Sequence, residues 1–152
     1  MADEIRSIAQ NRRARHEFEV LEELECGVAL TGTEVKSLRQ GHCSLAESYA
    51  RFLGGELYLL GMHIPEYRQG NVHNHPPTRD RKLLAHRREL ARWHKRVTER
   101  GVTIVPLALY FKGARVKVLL GLARGKKLYD KRHAQRERSD RREVERALRR
   151  RR

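Results

Sequence analysis

Most of the apolar residues fall in short alternating runs, a period that predicts strands rather than helices. After a polar, basic stretch at 11–15, Phe18 and Val20 alternate with glutamates and predict a half-buried strand. Val28 and Leu30 repeat the period beyond Gly27, which predicts a second strand after a short turn at Glu25-Cys26-Gly27. Thr31-Gly32-Thr33 interrupts the pattern, with Thr33 placed to cap a short helix over 34–39 that Gly41 closes. Residues 45–53 and 56–60 flank Gly54-Gly55, a strong hairpin signal. The stretch from His63 to Pro77 holds three His and three Pro and predicts a loop. From Thr78 to Arg100, Leu83, Leu90 and Val97 recur every seven residues with Trp93 beside them, predicting one long helix ended by Gly101. Residues 102–111 are almost continuously apolar, and Val116, Val118, Leu120 and Leu122 alternate after Lys112-Gly113. The pair predicts a second hairpin with one strand buried on both faces.

Six short strands, two helices and no βαβ alternation predict a mainly β fold. A six-stranded antiparallel barrel over 11–124 with flanking helices is favoured over an open sheet, because closure removes exposed edges. Residues 1–10 are expected to be a flexible N-terminus. Residues 125–152 form a basic C-terminal tail of another kind. From Asp130 onward it carries eleven Lys or Arg against five acids, and only Ala134, Val144, Ala147 and Leu148 are apolar. Too little surface is available there to offset the entropy of ordering, so the free tail is expected to be disordered. Val144, Ala147 and Leu148 share one helical face, so the tail is expected to be helical when bound.

Charge then narrows the function. The 152 residues contain 34 Lys or Arg and 19 Asp or Glu, a formal net charge of +15. Such an excess calls for a polyanionic partner to relieve self-repulsion, and nucleic acid, an anionic membrane and an acidic protein are the choices. No apolar run approaches the roughly 18 residues of a membrane span. The start, Met1-Ala2-Asp3-Glu4, lacks the apolar segment of a secretion signal. A cytoplasmic protein is expected, with Cys26 and Cys43 as free, packed thiols.

No Gly-rich phosphate loop, CxxC or HExxH is present, so neither a catalytic residue nor a cofactor is expected. His73-Asn74-His75 lacks a further ligand at suitable spacing and reads as a surface loop able to touch phosphate rather than a metal site. The cations fall in groups: Arg12, Arg13 and Arg15; Lys36 and Arg39; Arg79, Arg81, Lys82, Arg87 and Arg88; Lys112, Arg115 and Lys117; Arg124, Lys126 and Lys127. Together they predict a nucleic-acid surface. Aromatic residues are only 6%, and Phe18, Tyr58, Trp93 and Phe111 read as core, whereas Tyr49, Tyr67, Tyr110 and Tyr129 are open. That favours reading a folded RNA by shape and backbone over stacking unpaired bases. A plain single-strand or cold-shock-like module would need exposed aromatics, and a nuclease would need a carboxylate cluster or a His pair.

Five segments, in order, resemble the SsrA-binding protein (SmpB) family: NRRARHEFEV at 11–20, LTGTEVKSLR at 30–39, HPPTRDRKLLAHRREL at 75–90, TIVPLALYFKG at 103–113 and GKKLYDKR at 125–132. The resemblance implies an OB-like barrel that binds the tRNA-like domain of transfer-messenger RNA and takes it to stalled ribosomes for trans-translation. It implies that the tail enters the decoding centre and the emptied mRNA channel of the 70S ribosome, against 16S rRNA. Alanyl-tRNA synthetase and elongation factor Tu act on the same RNA, and the protein itself is expected to be a monomer. By motif, Asn11, Glu25, Leu84 and Lys117 face RNA, with Arg13, Arg15, His16, Lys36, Arg39, Arg81, Lys82, Lys126 and Lys127 around them. Glu25 stands where the family has an acid-Ala-Gly turn; here Cys26 replaces the Ala. Asp130, Lys131 and Arg132 match the first element of the ribosome-binding tail, in which Tyr129 is also placed and which Arg136, Arg138, Arg141 and Arg142 continue.

Overall fold

A computed structural model describes residues 4–69, 74–126, 142 and 146. In chain order it contains β1 (Ile5–Gln10), α1 (Arg12–Glu17), β2 (Phe18–Val28), α2 (Gly32–Arg39), β3 (Tyr49–Leu53) and β4 (Glu56–Leu60), then β5 (Arg81–Leu84), α3 (Arg87–Arg96), β6 (Val102–Lys112) and β7 (Arg115–Gly125). Every pairing among the strands is antiparallel. The order β6-β3-β4-β5-β2-β7 returns to β6 and closes a six-stranded ring, and β1 adds a seventh strand along β6. The expected mainly β barrel with flanking helices is therefore present. Inside it, Leu24, Cys26, Leu57, Leu59, Leu83, Leu109, Val118, Leu120 and Leu122 meet Leu38 of α2 and the fully buried Trp93 of α3. Among the described residues no helix is long and apolar enough to cross a membrane.

Four local expectations are corrected. Residues 5–10, expected to be flexible, form β1, which pairs with β6 from Ile5–Lys112 to Gln10–Ala108. Glu25-Cys26-Gly27 is no turn: β2 runs unbroken through it, with Cys26 completely buried. The strand's irregularity lies earlier, in a bulge near Leu21, where the register against β7 shifts between Val20 and Glu22. One extra residue exchanges the faces. Phe18 and Val20 thus pack outside the barrel, whereas Leu24 and Cys26 pack inside. The segment after Thr78 is not one helix but a strand, β5, followed by the shorter α3. Leu83, Leu90 and Trp93 do meet one core, from two elements rather than one helical face. Finally, α2 is capped by Thr31 rather than Thr33, in a capping box with Glu34, whose carboxylate accepts from the Thr31 amide at 2.8 Å.

The predicted Gly54-Gly55 hairpin is in place, both glycines having positive φ (59° and 80°) as a tight two-residue turn demands. A polar knot ties α2 to β5. Glu34 and Arg81 are both 0% exposed, and Arg81 Nε donates to Glu34 Oε2 at 2.5 Å. The remaining Arg81 donors reach the carbonyls of Met62 (2.6 Å), Arg79 (3.0 Å) and Pro77 (3.1 Å). Arg79 donates to Glu34 Oε1 from Nη2 at 2.5 Å. His75 bridges the same region: its Nε2 donates to the Ile64 carbonyl at 2.9 Å, and Nδ1 lies 2.9 Å from the Thr33 hydroxyl. His75 is therefore a buried cross-link rather than part of a surface loop that touches phosphate. His73 lies outside the described residues.

Burial by itself raises the Glu34 carboxyl, but the hydrogen bonds from Arg79, Thr31 and Arg81 outweigh it and hold the group below its usual range. A depressed carboxyl stabilises the fold fully above its unfolded value, about 4.3, and this stabilisation is lost as pH falls through the lower folded value. Glu34→Gln leaves the Arg81 charge buried without a counterion and is expected to cost about 3–5 kcal/mol at neutral pH. Urea unfolding at pH 7, 5 and 3 checks both points: the gap between parent and variant should be widest at pH 7 and close at low pH.

Candidate nucleic-acid interface

The outer face of β5, β2, β7 and β6 carries a continuous row. Leu84 pairs with Gly27, Gly27 with Lys117, and Lys117 with Tyr110, so the four positions lie side by side across four strands. Strand alternation sends β5 residues to opposite faces. Arg81 and Leu83 are buried, whereas Lys82 and Leu84 are exposed, Leu84 to 53%. Gly27 leaves room for this: a Cβ there would sit 3.4 Å from that of Leu84. Glu25 lies two residues along β2, on the same face as Gly27. The row therefore offers an exposed apolar side chain, a lysine, a tyrosine and a carboxylate on one rigid surface.

Glu25 is held from two strands away. Tyr110 donates its hydroxyl to Oε2, and Lys112 Nζ donates to Oε1 at 3.2 Å. The Tyr110 hydrogen bond, helped by Lys112 and Lys117, keeps the Glu25 carboxyl below its ordinary range against a partial burial that would raise it. Burial and the neighbouring carboxylate push the Tyr110 hydroxyl up, so it remains a donor. About a third of the Glu25 side chain stays exposed, opening on a groove shared with Lys112, Gly113, Ala114, Arg115 and Lys117.

About 20 Å along the same strands, at roughly 3.4 Å per residue from Lys117 to Ala123, α1 covers the outer face. It buries Ala14 on Val105, Leu107 and Ala123. Gly121 makes this possible, since a Cβ there would stand 3.0 Å from Leu107 Cδ1. Asn11 caps α1, its Oδ1 accepting from the Ala14 amide at 3.2 Å while Nδ2 donates to the Pro106 carbonyl at 3.0 Å. Arg12, Arg13, Arg15 and His16 are exposed on the helix, Arg13 pairing with Glu17 at 3.0 Å and Arg15 with Glu23 at 3.6 Å. Lys126, the first residue beyond β7, reaches the Arg15 carbonyl at 3.4 Å. The chain thus leaves the barrel beside α1.

Of the residues expected to face RNA, the structure brings Glu25, Leu84 and Lys117 onto one surface. Two expectations are corrected. Arg81 points inward, and its donors are taken by Glu34 and three carbonyls. Asn11 is 7% exposed and positions α1 rather than facing outward. Lys82 is exposed but paired with Glu56 at 3.0 Å. Lys36 lies over the Tyr67 ring, 5.7 Å from its centroid, and Arg39 borders an open groove with Arg6 and Gly113. Lys127, Tyr129, Asp130, Lys131, Arg132, Arg136, Arg138 and Arg141 lie outside the described residues, and Arg142 is exposed. Lys112 stands among the cations expected at a nucleic-acid surface, whereas Tyr110 was left open; its strand face shared with Lys117 is the signal that could have found it. Burial pushes the thiols of Cys26 and Cys43 up to about 12, so they pack as neutral groups. Among the described residues no group of His, Cys, Asp and Glu is arranged to hold a metal.

A family model described as SmpB protein matches residues 8–150. The chain is 60% identical over 141 residues to an SsrA-binding protein of Kineococcus radiotolerans, covering 93% of this chain and 90% of that one. An SsrA-binding protein of Carboxydothermus hydrogenoformans is 54% identical over 142 residues, covering 93% and 95%. A solved structure described as "tmRNA-SmpB: a journey to the center of the bacterial ribosome" contains a chain that is 53% identical. It superimposes with a TM-score of 0.66 over 78% of this chain and 83% of that one.

The geometry separates interface from support. Asn11→Ala removes a cap and the hydrogen bonds that Nδ2 donates to the Pro106 and Leu45 carbonyls, and is expected to cost about 1–2 kcal/mol. Leu84→Ala, at an exposed position, should stay within about 0.5 kcal/mol of the parent. Thermal unfolding of the two variants measures the contrast.

Proposed function

The chain belongs to the SmpB family, and on that premise we propose that it binds the tRNA-like domain of transfer-messenger RNA and delivers it to stalled ribosomes for trans-translation. The observation that carries this reading is the row Leu84–Gly27–Lys117–Tyr110 with Glu25 beside it. A flat, rigid strand surface suits the backbone and exposed base edges of a folded RNA. Lysines and arginines at its margin attract phosphate, and Leu84 supplies a short-range apolar contact. The protein acts by binding and presenting RNA, in the cytoplasm and as a monomer, and is not itself an enzyme. Alanyl-tRNA synthetase and elongation factor Tu act on the RNA it holds.

A second basic region extends the reading. The chain leaves the barrel at Lys126 beside the exposed Arg12, Arg15 and His16 of α1. We assign α1 and the tail to the ribosome, with Tyr129, Asp130, Lys131 and Arg132 at the decoding centre. Arg136, Arg138, Arg141 and Arg142 then follow 16S rRNA along the empty mRNA channel, where binding offsets the entropy of ordering a helix.

RNA recovered with the protein from cells and sequenced should be dominated by one species with a tRNA-like end and a short reading frame. If about six phosphates are neutralised, log affinity should fall against log salt with a slope of about −4 to −5. Lys117→Ala should weaken binding and reduce that slope by about one. A slope near zero would discard the backbone-contact part of the proposal.

Truncation after Lys127 should leave RNA affinity and melting temperature nearly unchanged while peptide tagging on stalled ribosomes collapses. Normal tagging by the truncated chain would contradict the division between barrel and tail.

A further inference from the structure

Glu25 is the anomaly of the surface. A carboxylate in the middle of a strongly basic face repels phosphate, and an ordinary solvated acid would need no support. Here both oxygens are engaged from β6, across the width of β7: Oε2 by the Tyr110 hydroxyl and Oε1 by Lys112 Nζ. Each carboxylate oxygen accepts more than one hydrogen bond. The side chain also stays about a third exposed, so acceptor capacity still faces the groove. Lys112 offsets the charge, and Tyr110 fixes the direction without adding any. Such a group matches a neutral hydrogen-bond donor, not an anion.

Resting on the RNA-binding reading above, we propose that Tyr110, with Lys112, is a positioning residue that presents Glu25 as a fixed acceptor to one donor group of the bound RNA. Base imino and amino groups and the ribose 2′-hydroxyl have that chemistry; of these we assign the donor to a guanine edge, whose imino and amino hydrogens lie side by side, or to a ribose 2′-hydroxyl. The assignment explains why a residue two strands away from Glu25 keeps a half-buried hydroxyl pointed at it. It also explains the low carboxyl of Glu25, since an acceptor serves only while ionised. Lys117 on the strand between is left to meet phosphate, so one face combines a charge contact with a donor-reading contact.

The test uses the full-length protein and a transcript of the tRNA-like domain. Tyr110→Phe should weaken binding about tenfold, the loss typical of a hydrogen bond to a charged group, with no change in salt slope. The same substitution in a Glu25→Gln background should cost almost nothing more. In the free protein, the Glu25 carboxyl carbon followed by NMR should titrate at a higher pH in Tyr110→Phe than in the parent; the double-mutant comparison on RNA, which a merely structural tyrosine would not couple to Glu25, separates positioning from support. Transcripts carrying scattered inosine or 2′-deoxy substitutions, selected for binding, should show one interfering position that disappears with Glu25→Gln. Loss of the inosine signal identifies a guanine amino group, and loss of the 2′-deoxy signal identifies a ribose hydroxyl. Equal costs of Tyr110→Phe in both backgrounds, an unmoved Glu25 titration, or no Glu25-dependent interference overturns the proposal. If that happens while Lys117→Ala still weakens binding, the RNA-binding reading stands and only the positioning role falls. If Lys117→Ala also binds like the parent, the reading beneath it fails.

Discussion

Glu34 and Arg81, a carboxylate and a guanidinium with no exposure to solvent, fix how the two halves of the barrel meet. Their pairing locks α2, which follows β2, against β5 and the residues leading into it. The pair is tolerated because nothing in it is left unsatisfied: Arg81 spends its remaining donors on three carbonyls, and Glu34 also receives Arg79 and the Thr31 amide. Arg81 inward forces Lys82 outward, Leu83 inward and Leu84 outward. The one exposed apolar residue in the candidate RNA row is therefore aimed by a salt bridge it never touches. Breaking this buried pair from one side is costly, and its orientation sets which residues of β5 face outward.

The same knot explains which parts of the surface could be read from the chain. TGTEVKS and HPPTRDR look like RNA-binding motifs because they are rich in polar and basic groups. Their Thr31, Thr33, Glu34, Ser37, His75, Arg79 and Arg81 mostly bond to one another or to nearby carbonyls. Charge in a sequence does not say whether it faces water or a partner inside the protein. Arg81 was misplaced for that reason. Strand parity would have separated it from Leu84, but the seven-residue spacing of Leu83, Leu90 and Val97 suggested a helix, and a helix has no such parity.

Periodicity succeeded where a strand keeps one phase and failed where a bulge resets it. The hairpin at Gly54-Gly55 and the long pair β6–β7 were legible from alternation and turn residues. β2 was split in two because Gly27 reads as a turn residue, and the bulge near Leu21 is hidden because apolar residues keep even positions on both sides of it. β1 was missed because Ile5 is exposed, only Ile8 and Ala9 pack against the core, and a register irregularity between Ser7 and Ala9 breaks the alternation, so its sequence carries a weak signal. The carboxylate site was half legible: Glu25 and Lys117 came from motif and Lys112 from charge, whereas Tyr110, and the placement of all three around Glu25, required the register of three strands.

The ring closes between strands far apart in the chain. β2, formed from residues 18–28, pairs along its whole length with β7, formed from residues 115–125. Contacts of such long sequence separation form late and slowly. During synthesis, none of the Glu25–Tyr110–Lys117 arrangement exists until nearly the entire barrel has left the ribosome. An unfinished copy therefore carries the basic α1 segment without the candidate RNA row. The topology withholds the Glu25–Tyr110–Lys117 arrangement from any copy that stops short of β7.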